Sequence, residues 1–124
     1  MIQPCEGLST GEVFRAYHAC ETVERPDTEH AARALATGDT ALLAASLRNV
    51  MQPVSRQMRP EIGEAIDALM ACGAACALMT GSGSAVFGVF EEEAQAQAAR
   101  DALHTRWARC SVCITCSESI VIEE

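Results

Sequence analysis

Hydrophobic residues in the first part of the chain recur at the three- and four-residue intervals of amphipathic helices. Two stripes carry the pattern: Leu43, Leu47, Val50 and Val54 in one, and Ile62, Ile66 and Leu69 in the other. Each stripe places apolar side chains on one side of a helix, which therefore lies on a core. The region up to Gly73 is predicted to consist of helices separated by turns.

Capping and breaking residues set the ends of the first predicted helices. The first helix starts after Ser9, whose hydroxyl can cap it, and ends before Pro26. Thr28 is predicted to cap a second helix. This helix reaches about Thr37 and stops at Gly38, since glycine readily adopts the left-handed conformation that ends helices.

Two prolines shape the next helices. Asp39 is predicted to cap a third helix, but Pro53 lies within its stripe. An interior proline clashes with the carbonyl four residues earlier, so we expect a kink or break near 49–52 and a short further helix to Met58. Pro60 suits the first turn of a fourth helix, where a missing N–H removes no hydrogen bond.

After the fourth helix the hydrophobic period changes to that of strands. The predicted elements are strands at 74–79 and 85–90, a helix at 91–107, and strands at 110–116 and 120–122. Helices followed by a β-β-α-β-β block predict a single α+β domain over residues 1–124. In it, a mainly antiparallel sheet of about four strands packs on helices.

Composition and charge exclude several classes of protein for this chain. The chain has 124 residues, the size of one domain, and its 9 basic and 17 acidic residues give a net charge of -8. The basic residues are scattered, so no patch is present to bind a nucleic-acid backbone. No apolar run reaches the roughly 18 residues of a membrane span, and the first residues lack the pattern of a secretory signal. We expect a cytoplasmic protein that binds neither nucleic acid nor membrane.

Seven cysteines raise the question of a zinc site. Cys110, Cys113 and Cys116 follow one another at three-residue spacing. Side chains of a strand alternate between its faces, so Cys113 would point away from the other two. The spacing of Cys72 and Cys76 does not indicate a shared metal site either. We predict small, buried cysteines that bind no metal, and a zinc protein is the weakest alternative.

The segment Thr80-Gly81-Ser82-Gly83-Ser84 joins the first two predicted strands. A phosphate-binding P-loop would end in Gly-Lys-Ser/Thr and open into a helix, whereas this segment has no lysine and opens into a strand. A dinucleotide fingerprint also needs a third glycine and a helix. Two interpretations stay open: a hairpin turn that uses glycine for positive φ, or a bare backbone that lets another group approach closely.

The segments around this loop resemble a known family. Four segments are similar, in content and order, to the C-terminal domain of the GHMP kinases. They are Asn49-Val50-Met51-Gln52-Pro53-Val54, Arg59-Pro60-Glu61-Ile62, residues 79–90 followed by Glu91-Glu92-Glu93-Ala94, and Gly7-Leu8-Ser9-Thr10 with Tyr17. The most specific element is Gly-Ser-Gly before a strand that contains phenylalanine. Thr80 stands where serine is usual, and Ser84 where proline is frequent.

The resemblance implies a fold and a reaction. It implies a ferredoxin-like domain of a kinase that transfers the γ-phosphoryl group of ATP, with Mg²⁺, to a hydroxyl of a small molecule. The expected substrate is 4-diphosphocytidyl-2-C-methyl-D-erythritol, on the route to isoprenoid precursors. By the same resemblance, Thr80, Gly81, Ser82, Gly83 and Ser84 support the phosphate loop of an N-terminal ATP-binding domain and help to close the cleft.

That N-terminal domain, which carries the catalytic residues of the family, is expected to be absent here. The chain has no lysine and no second glycine-rich loop. We therefore expect the chain alone to hold no catalytic residue or metal, to bind no cofactor and to be inactive as a kinase. We also expect it to self-associate through the surface that its partner domain normally covers.

A stand-alone α+β module that binds a small ligand or dimerises is the alternative function. The remaining polar residues have structural interpretations. His18, His30 and His104 lie on separate predicted helices and are interpreted as solvated. The acidic run at 91–93 is interpreted as the N-terminus of a helix, where the helix dipole stabilises negative charge. Asn49 is interpreted as a residue that caps a helix or bridges backbone groups.

Overall fold

A computed structural model describes residues 1–19 and 25–115. Its elements are α1 (Thr10–His18), α2 (Thr28–Thr37), α3 (Thr40–Ser46), α4 (Gln52–Met58), α5 (Pro60–Ala71), β1 (Cys76–Met79), β2 (Val86–Val89) and α6 (Glu93–Leu103). Helices come first, and a β-hairpin with a helix behind it follows. This order confirms the predicted α+β class.

The sheet is built on an antiparallel hairpin. Residues of β1 and β2 pair along the hairpin, with Met79 opposite Val86 at its closed end. Ile2 then forms single bridges to Val86 on one side and to Cys110 on the other. Across the sheet the order is therefore β1, β2, Ile2, Cys110, and adjacent segments run antiparallel.

One helix supplies most of the core opposite this sheet. α5 contacts both strands, and its predicted stripe is buried. The buried hydrophobic cluster consists of Ile2, Ile62, Ala65, Ile66, Leu69, Ala74, Met79, Val86 and Trp107. Full burial of a large apolar side chain contributes about 1.5–3 kcal/mol, so this cluster fixes the hairpin against α5.

The first helix ends largely follow the predicted signals, although Ser9 stands in the N-cap position of α1 without a capping hydrogen bond from its side chain. Gly38 ends α2 with φ +70°, as expected. Asp39 caps α3, since its carboxylate accepts the Leu42 N–H at 2.9 Å. The predicted cap of α2 is wrong by one residue. Asp27 takes that position because its carboxylate accepts the His30 N–H at 3.0 Å, which leaves Thr28 as the first helical residue.

The third predicted helix is two helices in the structure. α3 ends at Ser46, and Leu47 is already extended, with ψ 131°. Pro53 lies in the first turn of α4, where its missing N–H removes no hydrogen bond, so it begins a helix and does not kink one. The predicted break at 49–52 and the short helix to Met58 are confirmed.

The last part of the chain departs further from the prediction. α6 is shorter than the predicted helix at 91–107. In the predicted strand at 110–116, Cys110 forms a bridge, but residues 111–115 lie in no strand. Ile2, for which no strand was predicted, lies beside β2. Residue 116 and the predicted strand at 120–122 lie outside the described residues.

The cysteines of the described ranges are free thiols: Cys5, Cys72, Cys76, Cys110 and Cys113. Burial raises the pKa of Cys76 and of Cys110, which favours the neutral thiol over the thiolate that binds metals. Of these five, Cys76 is buried, Cys5, Cys72 and Cys110 are half-buried, and Cys113 is exposed, so the prediction of buried cysteines is confirmed at Cys76 alone. Within residues 1–19 and 25–115, no helix has the length and apolar character needed to cross a membrane.

Candidate functional site

Residues 80–84 form the loop of the β1–β2 hairpin. The Thr80 N–H donates to the Ala85 carbonyl at 2.9 Å, and the Gly83 N–H donates to the Thr80 carbonyl at 3.2 Å. These two hydrogen bonds close a turn that contains Gly81, whose φ is +59°. Thr80 and Gly81 are exposed, and Ser82 is half-buried. The loop is therefore a closed turn whose tip faces solvent.

Two side chains from the start of α4 and the residues before it hold the first half of the loop. The Asn49 Nδ2 donates to the carbonyls of Met79 at 2.7 Å and Gly81 at 2.9 Å. Its Oδ1 accepts the Met51 N–H at 2.9 Å. The Gln52 Oε1 accepts the Met79 N–H at 2.8 Å. Asn49 thus bridges backbone, as predicted, and the backbone it bridges includes the loop.

Three hydrogen bonds made by hydroxyl groups hold the second half of the loop. Ser55, which is fully buried in α4, donates from Oγ to the Ser82 carbonyl at 3.0 Å. Ser84 is also buried, and its Oγ donates to the Cys5 carbonyl. The Ser82 Oγ lies 3.1 Å from the Thr10 Oγ1 at the start of α1. A buried hydroxyl without a partner costs about 1–3 kcal/mol, so the buried hydroxyls favour this one loop conformation.

The two glycines of the loop have different surroundings. A Cβ on Gly83 would lie 2.8 Å from the Met79 Sδ and 3.2 Å from the Ile62 Cδ1, and the residue has φ +91°. A Cβ on Gly81 would have no atom within 4 Å. Gly83 therefore allows the loop to pack on the core, whereas Gly81 leaves the outer surface of the turn bare.

Two segments that are distant from this loop in the sequence contact it. Residues 5–10 contact it through the Cys5 carbonyl and the Thr10 hydroxyl, and residues 49–55 contact it through the side chains of Asn49 and Ser55. These segments overlap those whose sequence resembles the GHMP kinases. The structure therefore brings the resembling motifs together around the candidate site.

The other polar candidates have structural roles. The His30 Nδ1 hydrogen-bonds the Asp27 carboxylate, and the His104 Nδ1 lies 2.8 Å from the Asp101 carbonyl. His18 and His104 are exposed, as predicted, whereas His30 is paired with a carboxylate and is not merely solvated. His18 and His30 lie in α1 and α2, and His104 directly follows α6. Residues 91–93 stand at the N-terminus of α6, with Glu92 in the capping position. In the part of the chain that the structure describes, no group of three His, Cys, Asp or Glu side chains could hold a metal ion.

Comparison with known families decides the classification. The family model described as GHMP kinases C terminal matches residues 31–109. The chain belongs to the GHMP kinases. The match begins within α2 and extends past α6, so it includes the loop at 80–84 and the residues of α4 that hold it.

Curated relatives within this GHMP kinase family have one name in common. The chain is 42% identical, over 89 residues, to the 4-diphosphocytidyl-2-C-methyl-D-erythritol kinase of Pelotomaculum thermopropionicum, covering 72% of this chain and 31% of that protein. It is 38% identical over 107 residues to the kinase of the same name from Syntrophomonas wolfei, covering 86% of this chain and 38% of that protein. The chain thus spans about a third of the length of the relatives it matches.

A solved structure shows the same fold. The crystal structure of 4-(cytidine 5'-diphospho)-2C-methyl-D-erythritol kinase superposes with a TM-score of 0.71 at 28% sequence identity. The superposition covers 86% of this chain and 38% of that chain. The described fold is therefore that of the C-terminal domain of this kinase type.

Two of the residues that hold the loop were not assigned a role from the sequence. Gln52 and Ser55 follow Asn49 at three-residue intervals. Such spacing places polar side chains along one line beside the apolar stripe, and this pattern is the signal that could have identified them. Which backbone they bind depends on the hairpin, where each partner lies 27 residues later, and spacing alone does not indicate this.

Proposed function

We propose that this chain is the C-terminal domain of an ATP-dependent kinase that phosphorylates a hydroxyl of 4-diphosphocytidyl-2-C-methyl-D-erythritol. In this proposal its partner is an N-terminal ATP-binding domain that these 124 residues do not contain. The names of the relatives and their length, about three times that of the matched part, support it. The reaction belongs to the synthesis of isoprenoid precursors.

The loop at 80–84 is proposed to support the phosphate loop of that partner domain. The observation that supports this role is that neighbouring side chains bind part of the loop backbone while two of its backbone N–H groups are free. Asn49 and Ser55 bind the backbone of the loop, and Gln52 binds Met79 directly before it. The backbone N–H groups of Gly81 and Ser82 have no hydrogen-bond partner among the described residues. A rigid turn with free donors and no side chain at Gly81 suits close contact with another backbone.

The residues present fit a supporting role better than direct binding of ATP and Mg²⁺. Phosphoryl transfer requires positioned cations and donors around the migrating group. The loop has no charged side chain, and the chain contains no lysine. When bound in the whole kinase, ATP supplies the phosphoryl group. The residues of this chain hold the loop backbone in position and help to exclude water from the cleft.

A chimera tests this function. The segment of the Pelotomaculum thermopropionicum kinase that matches this chain is replaced by the chain itself, and ATP-dependent phosphorylation of 4-diphosphocytidyl-2-C-methyl-D-erythritol is measured. The expected result is activity within about tenfold of the parent kinase. A chimera that folds and binds ATP but phosphorylates no substrate would reject the proposal and favour the stand-alone module.

A pair of glycine variants tests the role of the loop in the same chimera. Gly81 and Gly38 both have positive φ, +59° and +70°, and a Cβ at either would have no atom within 4 Å. Gly81→Val and Gly38→Val therefore introduce similar backbone strain, on the order of 1–2 kcal/mol. We expect kcat to fall roughly a hundredfold for Gly81→Val only, since a displacement of about 1 Å has that effect on turnover. Equal losses of kcat in the two variants would show that the loop is an ordinary turn.

A further inference from the structure

The start of α1 has no capping side chain of its own. Ser9 stands in the N-cap position, with φ -65° and ψ 115°, but its side chain makes no capping hydrogen bond within the described residues. In α2 and α3, by contrast, Asp27 and Asp39 each accept a backbone N–H of the first turn. Backbone N–H groups at an uncapped end lack partners, and such an end frays more readily. Contacts with other parts of the chain must therefore hold the start of α1.

The loop at 80–84 makes these contacts on both sides of Ser9. The Ser82 Oγ lies 3.1 Å from the Oγ1 of Thr10, the first residue of α1. On the other side, the Leu8 Cδ1 lies 3.4 Å from the position of a Cβ on Gly83. The uncapped end of α1 is therefore packed against the second half of the loop.

Ser84 holds the part of the chain that leads into this end. The residue is buried, with 2% of its surface exposed, and its Oγ donates to the Cys5 carbonyl. Cys5 lies between Ile2, which is paired with Val86 in the sheet, and the start of α1. If this hydrogen bond were lost, the hydroxyl would be buried without its partner, so the bond keeps residues 5–10 on the loop.

We propose that Ser84 is a positioning residue of the kinase, which holds residues 5–10 on the loop and thereby fixes the start of α1 relative to the turn. Because Ser84 is buried, it acts through the Cys5 backbone and not by contact with a substrate. The inference rests on the proposed function, since it adds the exposed Thr10 to the surface around Gly81 that supports the phosphate loop of the partner domain.

The hydroxyl group at this position distinguishes the chain from the pattern of the family that its sequence resembles. Proline is frequent at the position of Ser84 in that pattern. A proline side chain has no donor, so it cannot bind the Cys5 carbonyl. The hydrogen bond therefore requires the serine that this chain has.

Ser46 provides a matched control for Ser84. It is also buried, with 4% of its surface exposed, and its Oγ donates to the Leu42 carbonyl at 2.6 Å within α3. Ser84→Ala and Ser46→Ala each remove one buried hydroxyl and one hydrogen bond to a backbone carbonyl, so they should destabilise the chain by similar amounts. Of the two, Ser84→Ala alone removes a contact with residues 5–10.

Amide hydrogen exchange of the chain measures the effect on α1. The N–H groups of Glu12 and Val13 donate to the Ser9 carbonyl at 3.0 and 3.1 Å and close the first turn. Their exchange should be about tenfold faster in Ser84→Ala than in Ser46→Ala, because the turn opens more often once residues 5–10 are released. If Ser84→Ala does not fold, Ser84→Cys replaces it, since a thiol is a weaker donor than a hydroxyl.

Steady-state kinetics of the chimera measure the effect on the reaction. The kcat should fall about tenfold in Ser84→Ala and stay unchanged in Ser46→Ala, since a displaced loop misplaces the phosphate loop that it supports. The KM for ATP should change less than about twofold in both variants, because in the proposed function the partner domain binds ATP.

Two results would overturn the proposal. Equal exchange at Glu12 and Val13 in the two variants would show that Ser84 does not hold the start of α1. Equal losses of kcat, at a temperature where both variants are folded, would show that Ser84 has a structural role alone. An inactive chimera without substitutions would reject the proposed function, whereas the exchange measurement would still decide whether Ser84 holds α1.

Discussion

Asn49 and Gly81 lie 32 residues apart in the sequence, yet the Asn49 side chain donates a hydrogen bond to the Gly81 carbonyl at 2.9 Å. The same Nδ2 donates to the Met79 carbonyl at 2.7 Å. One amide group therefore joins the end of β1 to the turn that follows it. This contact links the segment before α4 to the geometry of the candidate site.

Asn49→Asp should destabilise the chain by about 2–3 kcal/mol at neutral pH, because a carboxylate cannot donate to the two carbonyls and lies against them. Gln97→Glu provides the control, since Gln97 is exposed and its amide hydrogen-bonds the Asp101 side chain of α6. Chemical denaturation of both variants gives the free energies of unfolding. A loss for Asn49→Asp no larger than for Gln97→Glu would contradict the role of Asn49.

Gly83→Ala should destabilise the chain more than Gly81→Ala. Both substitutions force a residue with a Cβ into positive φ, which costs on the order of 1–2 kcal/mol. At Gly83 the added carbon also lies 2.8 Å from the Met79 Sδ, so the core must shift. Thermal unfolding of the two variants measures the difference. Gly81→Asn should recover most of the loss at Gly81, since asparagine tolerates left-handed φ, and failure to do so would contradict the assigned backbone strain.

The cap of α2 should make stability depend on acid pH. Hydrogen bonds from the His30 side chain and backbone lower the pKa of Asp27 below its ordinary value of 3.8. A carboxyl group with a depressed folded-state pKa stabilises the fold above its unfolded pKa, and this contribution is lost as pH falls through the folded pKa.

Asp27→Asn keeps a side-chain oxygen for the cap but removes the charge. The variant should therefore be less stable than the original chain at pH 6, and the two should converge near pH 2. Circular dichroism melts at both pH values measure this. A stability difference that stays constant or grows as pH falls would show that the charge of Asp27 is not the cause.

The isolated chain should fold cooperatively and show no kinase activity. Its buried cluster joins α5 to both strands, which supports independent folding. We expect the phosphate loop and the catalytic residues of the family to lie in an N-terminal domain outside these 124 residues. A single cooperative melt, with ATP consumption equal to that of a sample without protein, is the expected result. Turnover of ATP above this background with 4-diphosphocytidyl-2-C-methyl-D-erythritol would contradict the prediction.

Self-association of the isolated chain stays a prediction that light scattering can test. Exposed apolar side chains lie on several elements, with Phe14 44%, Leu35 64% and Ile114 71% exposed. Exposed apolar surface favours association. Phe14→Ser and Leu35→Ser should reduce the apparent mass at high concentration, whereas a strictly monomeric original chain would reject the expectation.

The sequence by itself determined the features that depend on a few neighbouring residues. Gly38 ends α2, Asp39 caps α3, and Pro60 begins α5, because caps and turn residues act within about four positions. The hairpin and its glycine turn were likewise predictable from the change of hydrophobic period. The motifs also indicated the family, since a motif is a local pattern.

Only the tertiary structure decided which distant groups meet. Ile2 lies in the sheet because β2 leaves an edge for it, and nothing within its own neighbourhood specifies that pairing. In the sequence, Gln52 and Ser55 look like ordinary helix residues. Their hydrogen bonds to the hairpin follow only from its position beside α4. Gly83 differs from Gly81 because Met79 and Ile62 pack beneath it. Pairing, burial and hydrogen bonds between remote residues depend on the packed arrangement of the whole chain, whereas caps and turns depend on the local backbone.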